Sequence, residues 1–486
     1  MLFNSITFLY FFFVVITAMF IIKNKTYQHL FLLIASCYFY WYTSGSRLIL
    51  LFISIIMDYN LGKAIYNSKN DKIRKWMLII SLICNLGMLF IFKYTNFFIE
   101  SFNYFSTLFN NGFMLPVLNI VLPIGISFYT FISLSYTIDI YKKELEPCKS
   151  LLQYSLFITF FPHLVAGPIL RAANFLPQLK KKIIILPENF KIGLVEIGWG
   201  LVKKVIFADT IAMFANNYFN NPTIYQSSIP VYLGALAFGI QIYCDFSGYS
   251  GIAIGLARIL GIEFPANFNK PYSAKNSSEF WRRWHISLSS FLRDYLYIPL
   301  GGSKKGNVRT YINLIITMIL GGLWHGAAWN FLFWGFYQGF ILAVHKISET
   351  LKITNLFNYL KNFSDYVCII ITQYFVFFGW LLFRVPDIDK LAFLMKKYLI
   401  FNFTNGFNEF SIIFHEFTIP IVFMGLFIIL HIYSYLSEKY SPSNESLIQK
   451  IANKDLFYWS LFIFTVVMAL YLLAPSHSMP FIYFQF

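Results

Sequence analysis

His325 stands in Gly321-Gly-Leu-Trp-His-Gly-Ala-Ala-Trp-Asn330, inside a long apolar stretch. Between Tyr311 and Val344 it is the only titratable side chain apart from Tyr311 and Tyr337. An imidazole withdrawn from water favours its neutral form, and a neutral imidazole keeps one nitrogen able to accept a proton. Gly321, Gly322 and Gly326 remove side chains around it, which permits close approach by a substrate or by another helix. Two readings stay open: a general base, or a hydrogen-bonded core histidine.

A second histidine, His285, lies in Phe280-Trp-Arg-Arg-Trp-His-Ile-Ser-Leu-Ser-Ser-Phe-Leu-Arg-Asp-Tyr-Leu-Tyr-Ile-Pro-Leu-Gly-Gly302. At helical spacing Trp281, Trp284, Leu288 and Phe291 or Leu292 share one face, while Arg282, Arg283, Ser289 and Arg293 lie mostly elsewhere. This pattern fits an interfacial amphipathic helix. Residues 270–309 carry eight Lys/Arg and two acids, a net +6. Such a field suits a funnel mouth for a polyanion, and equally a cytoplasmic loop. His285 is either a second catalytic imidazole or a structural donor.

Other chemistries lack their signatures. The sequence holds no Gly-x-Ser-x-Gly elbow, no His-Glu-x-x-His, no phosphate-binding loop and no His-x₄-Asp. The five cysteines are too widely spaced for a zinc site and read as small apolar residues. A lone imidazole acting as a base is the chemistry left.

The elements that must position these residues follow from composition. Of 486 residues, 58% are hydrophobic, 21% aromatic and 12% charged. Soluble domains carry roughly 25% charged residues, so a soluble enzyme, a disordered chain and a coiled coil are excluded. The net charge of +16 suits Lys- and Arg-rich cytoplasmic loops better than nucleic acid. Apolar runs at about 20-residue scale predict an all-α polytopic membrane protein of about 11–13 spans, treated as one integral-membrane domain over 1–486. The runs carrying the motifs are 229–260, 311–330 and 331–347; further runs include 113–140, 151–170 and 192–217. Pro162 and Pro168 are expected to break the 151–170 run.

Orientation follows from loop charge. Met1-Leu-Phe-Asn-Ser has no basic residue, and Lys23 and Lys25 follow the first run, the reverse of a cleaved leader. The four bases of 67–75 mark that loop as cytoplasmic, and the base-free 94–112 loop as external. Both place the N-terminus outside. Asp58, Asp139, Asp209 and Asp245 fall inside apolar runs, with bases nearby only at Lys142, Lys143, Lys203 and Lys204. They read as packing or pairing residues. His29, His345, His415, His431 and His477 lie near run ends or in loops and carry no comparable signal.

With these residues in view, the chain resembles the membrane-bound O-acyltransferases, in the bacterial branch of alginate and peptidoglycan O-acetylation membrane proteins. The teichoic-acid D-alanylation membrane protein is more distant. The resemblance is carried by Leu122-Pro-Ile-Gly-Ile-Ser-Phe-Tyr-Thr-Phe131, Phe161-Pro-His-Leu-Val-Ala-Gly-Pro-Ile169, Tyr243-Cys-Asp-Phe-Ser-Gly-Tyr-Ser-Gly-Ile-Ala-Ile-Gly255 and Phe481-Ile-Tyr-Phe-Gln-Phe486. It is carried also by the two histidine segments. Gly251 stands where the family often has Asp.

The resemblance implies His325 as catalytic histidine, His285 as its companion, and tilted helices around a thin centre with cytosolic and external funnels. It implies a cytosolic acyl thioester as donor, either acetyl-CoA or an acyl carrier protein, with no metal. On this reading Trp281, Arg282 and Arg283 serve donor binding. Trp324, Trp329 and Asn330 shape the site, and Asn330 is an oxyanion donor. The acceptor hydroxyl belongs to an external periplasmic acetyltransferase or a carrier. D-alanyl transfer to teichoic acid and a non-enzymatic polymer or lipid transporter are the alternatives.

Overall fold

The computed structural model describes all residues except 110–111, 166, 353–363, 441–445, 477–478 and 483–486. His477 and the end of the Phe481–Phe486 motif therefore lie outside the described residues. Among the described residues every regular element is helical. Only helices or closed barrels satisfy backbone hydrogen bonds inside lipid. Polar caps start the helices where the apolar runs begin: Ser5 accepts from Phe8 N–H, and Asn70 from the N–H groups of Lys72 and Ile73.

Among the described residues six stretches are long and apolar enough to cross a membrane: Lys25–Asn67, Asp71–Leu108, Ile229–Ile259, Ser364–Arg384, Thr418–Tyr440 and Leu456–Leu473. The first two, at 43 and 38 residues, exceed one crossing of about 20 residues. Lys25–Asn67 is interrupted at Gly45, whose φ of +57° needs a residue without Cβ. Ile6–Ile21 is a shorter apolar helix. It buries Phe8, Phe12, Val15 and Met19 along one face and exposes Ile6, Leu9, Tyr10 and Phe13 on the other. A helix apolar on both faces has lipid as its outer solvent. The protein is a multi-pass membrane protein.

The chain clusters into two compact units. One comprises Met1–Leu194 with Ala253–Pro265, the other Val195–Ile252 with Ala266–Phe486. In the first, Leu48–Asn67, Asp71–Leu89 and Ile126–Tyr141 pack together. Asp58 is buried there and accepts from Ser81 Oγ (2.7 Å) and Asn85 Nδ2 (2.8 Å), so its carboxylate is a packing anchor. The expected 113–140 span is shorter: its helix starts at Ile126, after Gly125 at φ +77°. A Cβ on Gly125 would lie 2.5 Å from the Leu164 carbonyl oxygen. The 151–170 run breaks at Phe160, as its prolines require.

The second unit holds both histidine segments. The 280–302 stretch is not one amphipathic helix. It forms Ser277–Arg283 and Ile286–Leu292, broken at Trp284 and His285, followed by a π turn Arg293–Tyr297. The predicted apolar face is nonetheless buried: Trp281, Trp284, Leu288, Phe291 and Leu292 all face the interior. The 311–330 and 331–347 runs are Asn307–His325 and Trp329–Thr350. The turn lies earlier than the hydropathy boundary suggests, at residues 326–328, so His325 ends a helix rather than sitting in mid-span.

Candidate active site

The helical hairpin Asn307–His325 and Trp329–Thr350 positions the first imidazole. Its helices touch backbone to backbone. A Cβ on Gly322 would fall 2.2 Å from the Phe331 carbonyl oxygen, and one on Gly335 2.4 Å from that of Met318. Only glycine permits such contact. Of the two uses the sequence left open for the glycine cluster, approach by another helix is the one realised at Gly322. Gly326 is extended (φ −158°, ψ 151°) and ends the first helix at His325.

His325 is buried in an aromatic box. Its ring centre lies 5.0 Å from Trp324, 5.1 Å from Trp334 and 5.4 Å from Phe383, with interplanar angles of 75°, 89° and 76°. Edge-to-face packing of this kind fixes ring orientation as well as burying area. Phe383 is held in turn by Asn330, whose Nδ2 donates to the Phe383 carbonyl oxygen at 2.9 Å. This amide donor therefore positions a wall of the box. Trp329, one residue earlier, is 40% exposed.

His285 is fully buried at the break between its two short helices, with φ +41°. A left-handed conformation costs a non-glycine residue roughly 1–2 kcal/mol and persists only where surroundings enforce it. Asn267 does the enforcing. Its backbone carbonyl accepts Ile286 N–H at 2.9 Å. Its side-chain Oδ1 faces Ser287 N–H (3.3 Å), Ser287 Oγ (2.9 Å) and His285 Nδ1 (3.1 Å), while Nδ2 donates to Ser250 Oγ at 3.2 Å.

A backbone N–H can only donate, so the Asn267 atom facing Ser287 N–H is the oxygen. The His285 nitrogen facing that oxygen must then carry hydrogen, and in the neutral ring Nε2 keeps the lone pair. Among the described residues Nε2 has no hydrogen-bond partner. Phe246 closes on the ring edge-on at 4.6 Å. Trp324 lies 5.8 Å from it and also touches His325, so one indole neighbours both imidazoles.

The donor-binding residues separate. Trp281 and Arg282, with Ser289, Arg293 and Tyr297, line a cavity of about 540 Å³. Trp281 packs edge-on against Trp334 at 5.8 Å. A chain of two indoles thus links the cavity to His325. Arg283 instead pairs with Glu279 (2.7 Å). The basic field of 270–309 is partly neutralised by acids from elsewhere: Lys270 pairs with Glu438 and Lys275 with Asp365.

Asp209 and Asp245 are pairing residues, as their types suggested. Both bind the buried Lys204, at 2.8 and 2.6 Å. Lys204 also donates to the Met479 carbonyl oxygen (3.0 Å), and Ile482 N–H donates to Asp245 (2.7 Å). Among the described residues no group of three or more His, Cys, Asp or Glu is placed to hold a metal ion.

Sequence reasoning missed Asn267, Trp334 and Phe383. Asn267 sits in a short irregular loop without periodicity. The two aromatics are hidden in a chain where one residue in five is aromatic.

Comparison with known proteins matches residues 48–385 to the membrane-bound O-acyltransferase (MBOAT) family. The chain is 40% identical over 394 residues to the probable alginate O-acetylase AlgI of Pseudomonas aeruginosa, covering 80% of this chain and 73% of that protein. It is 36% identical over 400 residues to the peptidoglycan O-acetyltransferase of Helicobacter pylori, covering 77% and 74%. Against the teichoic acid D-alanyltransferase of Bacillus subtilis it is 30% identical over 285 residues, or 55% and 70%. The chain belongs to the membrane-bound O-acyltransferase family and is an O-acyltransferase.

Proposed function

We propose that the protein O-acetylates a cell-envelope polysaccharide, peptidoglycan or an alginate-like polymer. It moves acetyl from a cytosolic thioester across the inner membrane to an external hydroxyl. The relatives' names, alginate O-acetylase and peptidoglycan O-acetyltransferase, support acetyl and envelope polymers. The observation carrying the reading is the buried His325, packed on Trp334, which packs in turn on Trp281, a lining residue of the cavity that holds Arg282 and Arg293.

In this scheme the thioester, acetyl-CoA or an acetylated carrier protein, enters that cavity from the cytosol. Arg282 attracts its phosphate groups, while Arg293 is held by Asp294 at 2.7 Å. His325 takes the proton of the acceptor hydroxyl, whose oxygen attacks the thioester carbonyl. The tetrahedral intermediate collapses, the C–S bond breaks, and the leaving thiolate recovers the proton from the imidazolium. Base catalysis of this kind supplies about 10²–10⁴-fold. His285, with Nε2 bearing the lone pair, is the companion base or orienting acceptor. The acceptor belongs to an external periplasmic acetyltransferase or a carrier molecule, and the N-terminus is outside.

The test is His325→Ala in cells and in proteoliposomes. Loss of envelope O-acetyl groups and of thiol release from acetyl-CoA, with normal membrane insertion, is expected. Retained acetylation would remove His325 as the base. Transfer of D-alanine from a charged carrier, with no acetyl transfer, would establish the teichoic acid reading instead.

A further inference from the structure

An oxyanion needs hydrogen-bond donors that are already in place and not spent on the protein. One N–H of the Asn330 amide bonds the Phe383 carbonyl oxygen. Next to it in space is a donor with nothing to do. Trp334 lies one turn along the same helix and is buried, with its ring centre 5.1 Å from that of His325. Among the described residues its indole N–H has no acceptor. Leaving a buried N–H unpaired is costly, and such a group in a native interior calls for an explanation.

Trp334 cannot withdraw to find a partner. Its neighbour Gly335 lies against the Met318 backbone, where a Cβ would come within 2.4 Å. Ring contacts connect it to the cavity on one side and to His325 on the other. Trp281 lines the cavity, packs on Trp334, and has an indole N–H that likewise lacks an acceptor. An acyl group moving inward from the cavity would bring a carbonyl oxygen, the acceptor these N–H groups lack.

We propose that the Trp334 indole N–H is the oxyanion donor of the acyl transfer, bonding the thioester carbonyl oxygen as it becomes tetrahedral. Trp281 is a second donor met on the way in. When the hydroxyl oxygen attacks, the C=O π pair moves onto that oxygen and the Trp334 N–H holds it. The pair returns as the C–S bond breaks. This assignment rests on His325 being the base of the same reaction.

The test replaces Trp334 with 3-benzothienylalanine, which keeps the bicyclic shape and puts sulfur in place of N–H, and separately with Phe. The full chain is reconstituted in proteoliposomes. Thiol release is followed with acetyl-CoA, or with S-acetylated carrier protein if only that thioester turns over, and with N-acetylglucosamine oligomers as external hydroxyl. The isostere is expected to lower kcat by on the order of 10²–10³-fold. KM for the thioester should stay within about threefold, because the bond strengthens only in the transition state. The acidic limb of the pH–rate profile should not move, because the base is untouched. An isostere with kcat within about threefold of wild type, alongside an inactive His325→Ala, would overturn the Trp334 assignment alone. Activity in His325→Ala would overturn the underlying mechanism instead.

Discussion

Asn267→Leu tests how the companion imidazole is held. The substitution keeps approximate volume and removes every polar atom of the side chain. Both Asn267 and His285 are sealed from water, so lost partners are not replaced by solvent. His285 Nδ1–H and Ser287 N–H lose the oxygen that lies 3.1 and 3.3 Å away. A buried donor left without its acceptor costs about 1–3 kcal/mol. The left-handed His285 also loses part of what enforces φ +41°. Neighbouring effects do not simply add, and we expect destabilisation of about 2–4 kcal/mol. The catalytic consequence is separate. Without Oδ1 to accept from Nδ1, the ring is free to carry its hydrogen on Nε2, and the lone pair moves to Nδ1. Loss of such an outer partner typically costs on the order of 10–10²-fold in activity. Asn267→Asp is the paired control. It retains an oxygen at the same point, and the Ser250 hydroxyl can turn to donate to the second. Stability should largely return, but a carboxylate beside Nδ1–H favours the imidazolium, so the acidic limb of the rate profile should move to higher pH. Thermal inactivation followed by fluorescence-detected size exclusion, with thiol release for kcat, reads both effects. Wild-type melting and kcat in Asn267→Leu would refute the claim that Asn267 sets this histidine.

Three other outcomes follow from the same geometry. Gly335→Ala pushes a Cβ into the Met318 carbonyl and should destabilise the hairpin by about 1–3 kcal/mol. Gly425→Ala, with nothing within 4 Å of the added atom, should be silent, and equal melting of the two would refute the close packing. Lys204→Met strands the buried carboxylates of Asp209 and Asp245 and should cost about 3–5 kcal/mol. Adding Asp209→Asn should recover part of that folded yield. A cysteine at the exposed Lys69, beside the Asn70 cap, should resist an impermeant thiol reagent in intact cells, and labelling there would invert the proposed orientation.

Much of this was legible in composition and spacing. Low charge and apolar runs of span length dictate membrane helices whatever the tertiary detail. A single imidazole in a long apolar run singles out His325. Hydropathy could not place the turn after it, because Ala327, Ala328 and Trp329 continue the apolar run while the backbone at Gly326 is extended. The 280–302 segment shows the same limit. Its apolar face follows helical spacing and is buried, yet the helix breaks at His285. That break is enforced by Asn267, eighteen residues away, and no local pattern encodes a long-range hydrogen bond. Arg282 and Arg283 look alike in sequence. Only position separates them, since Arg283 has Glu279 one turn behind it and Arg282 faces the cavity.

A membrane interior makes every unpaired polar atom expensive, so economy predicts few polar side chains, all satisfied. Around the two histidines the polar side chains divide by role instead. Asn267 spends its oxygen and amide on a turn and on one nitrogen of His285. Asn330 spends one amide N–H on the backbone carbonyl of Phe383. The first bond fixes the His285 ring, whose Nε2 stays unpartnered among the described residues; the second fixes Phe383, which packs edge-on against Trp334, whose N–H is likewise unpartnered there. If the sole demand were stability, Leu or Phe at 334 would avoid the penalty. An indole at that point makes physical sense when something with a carbonyl oxygen periodically occupies the space beside it.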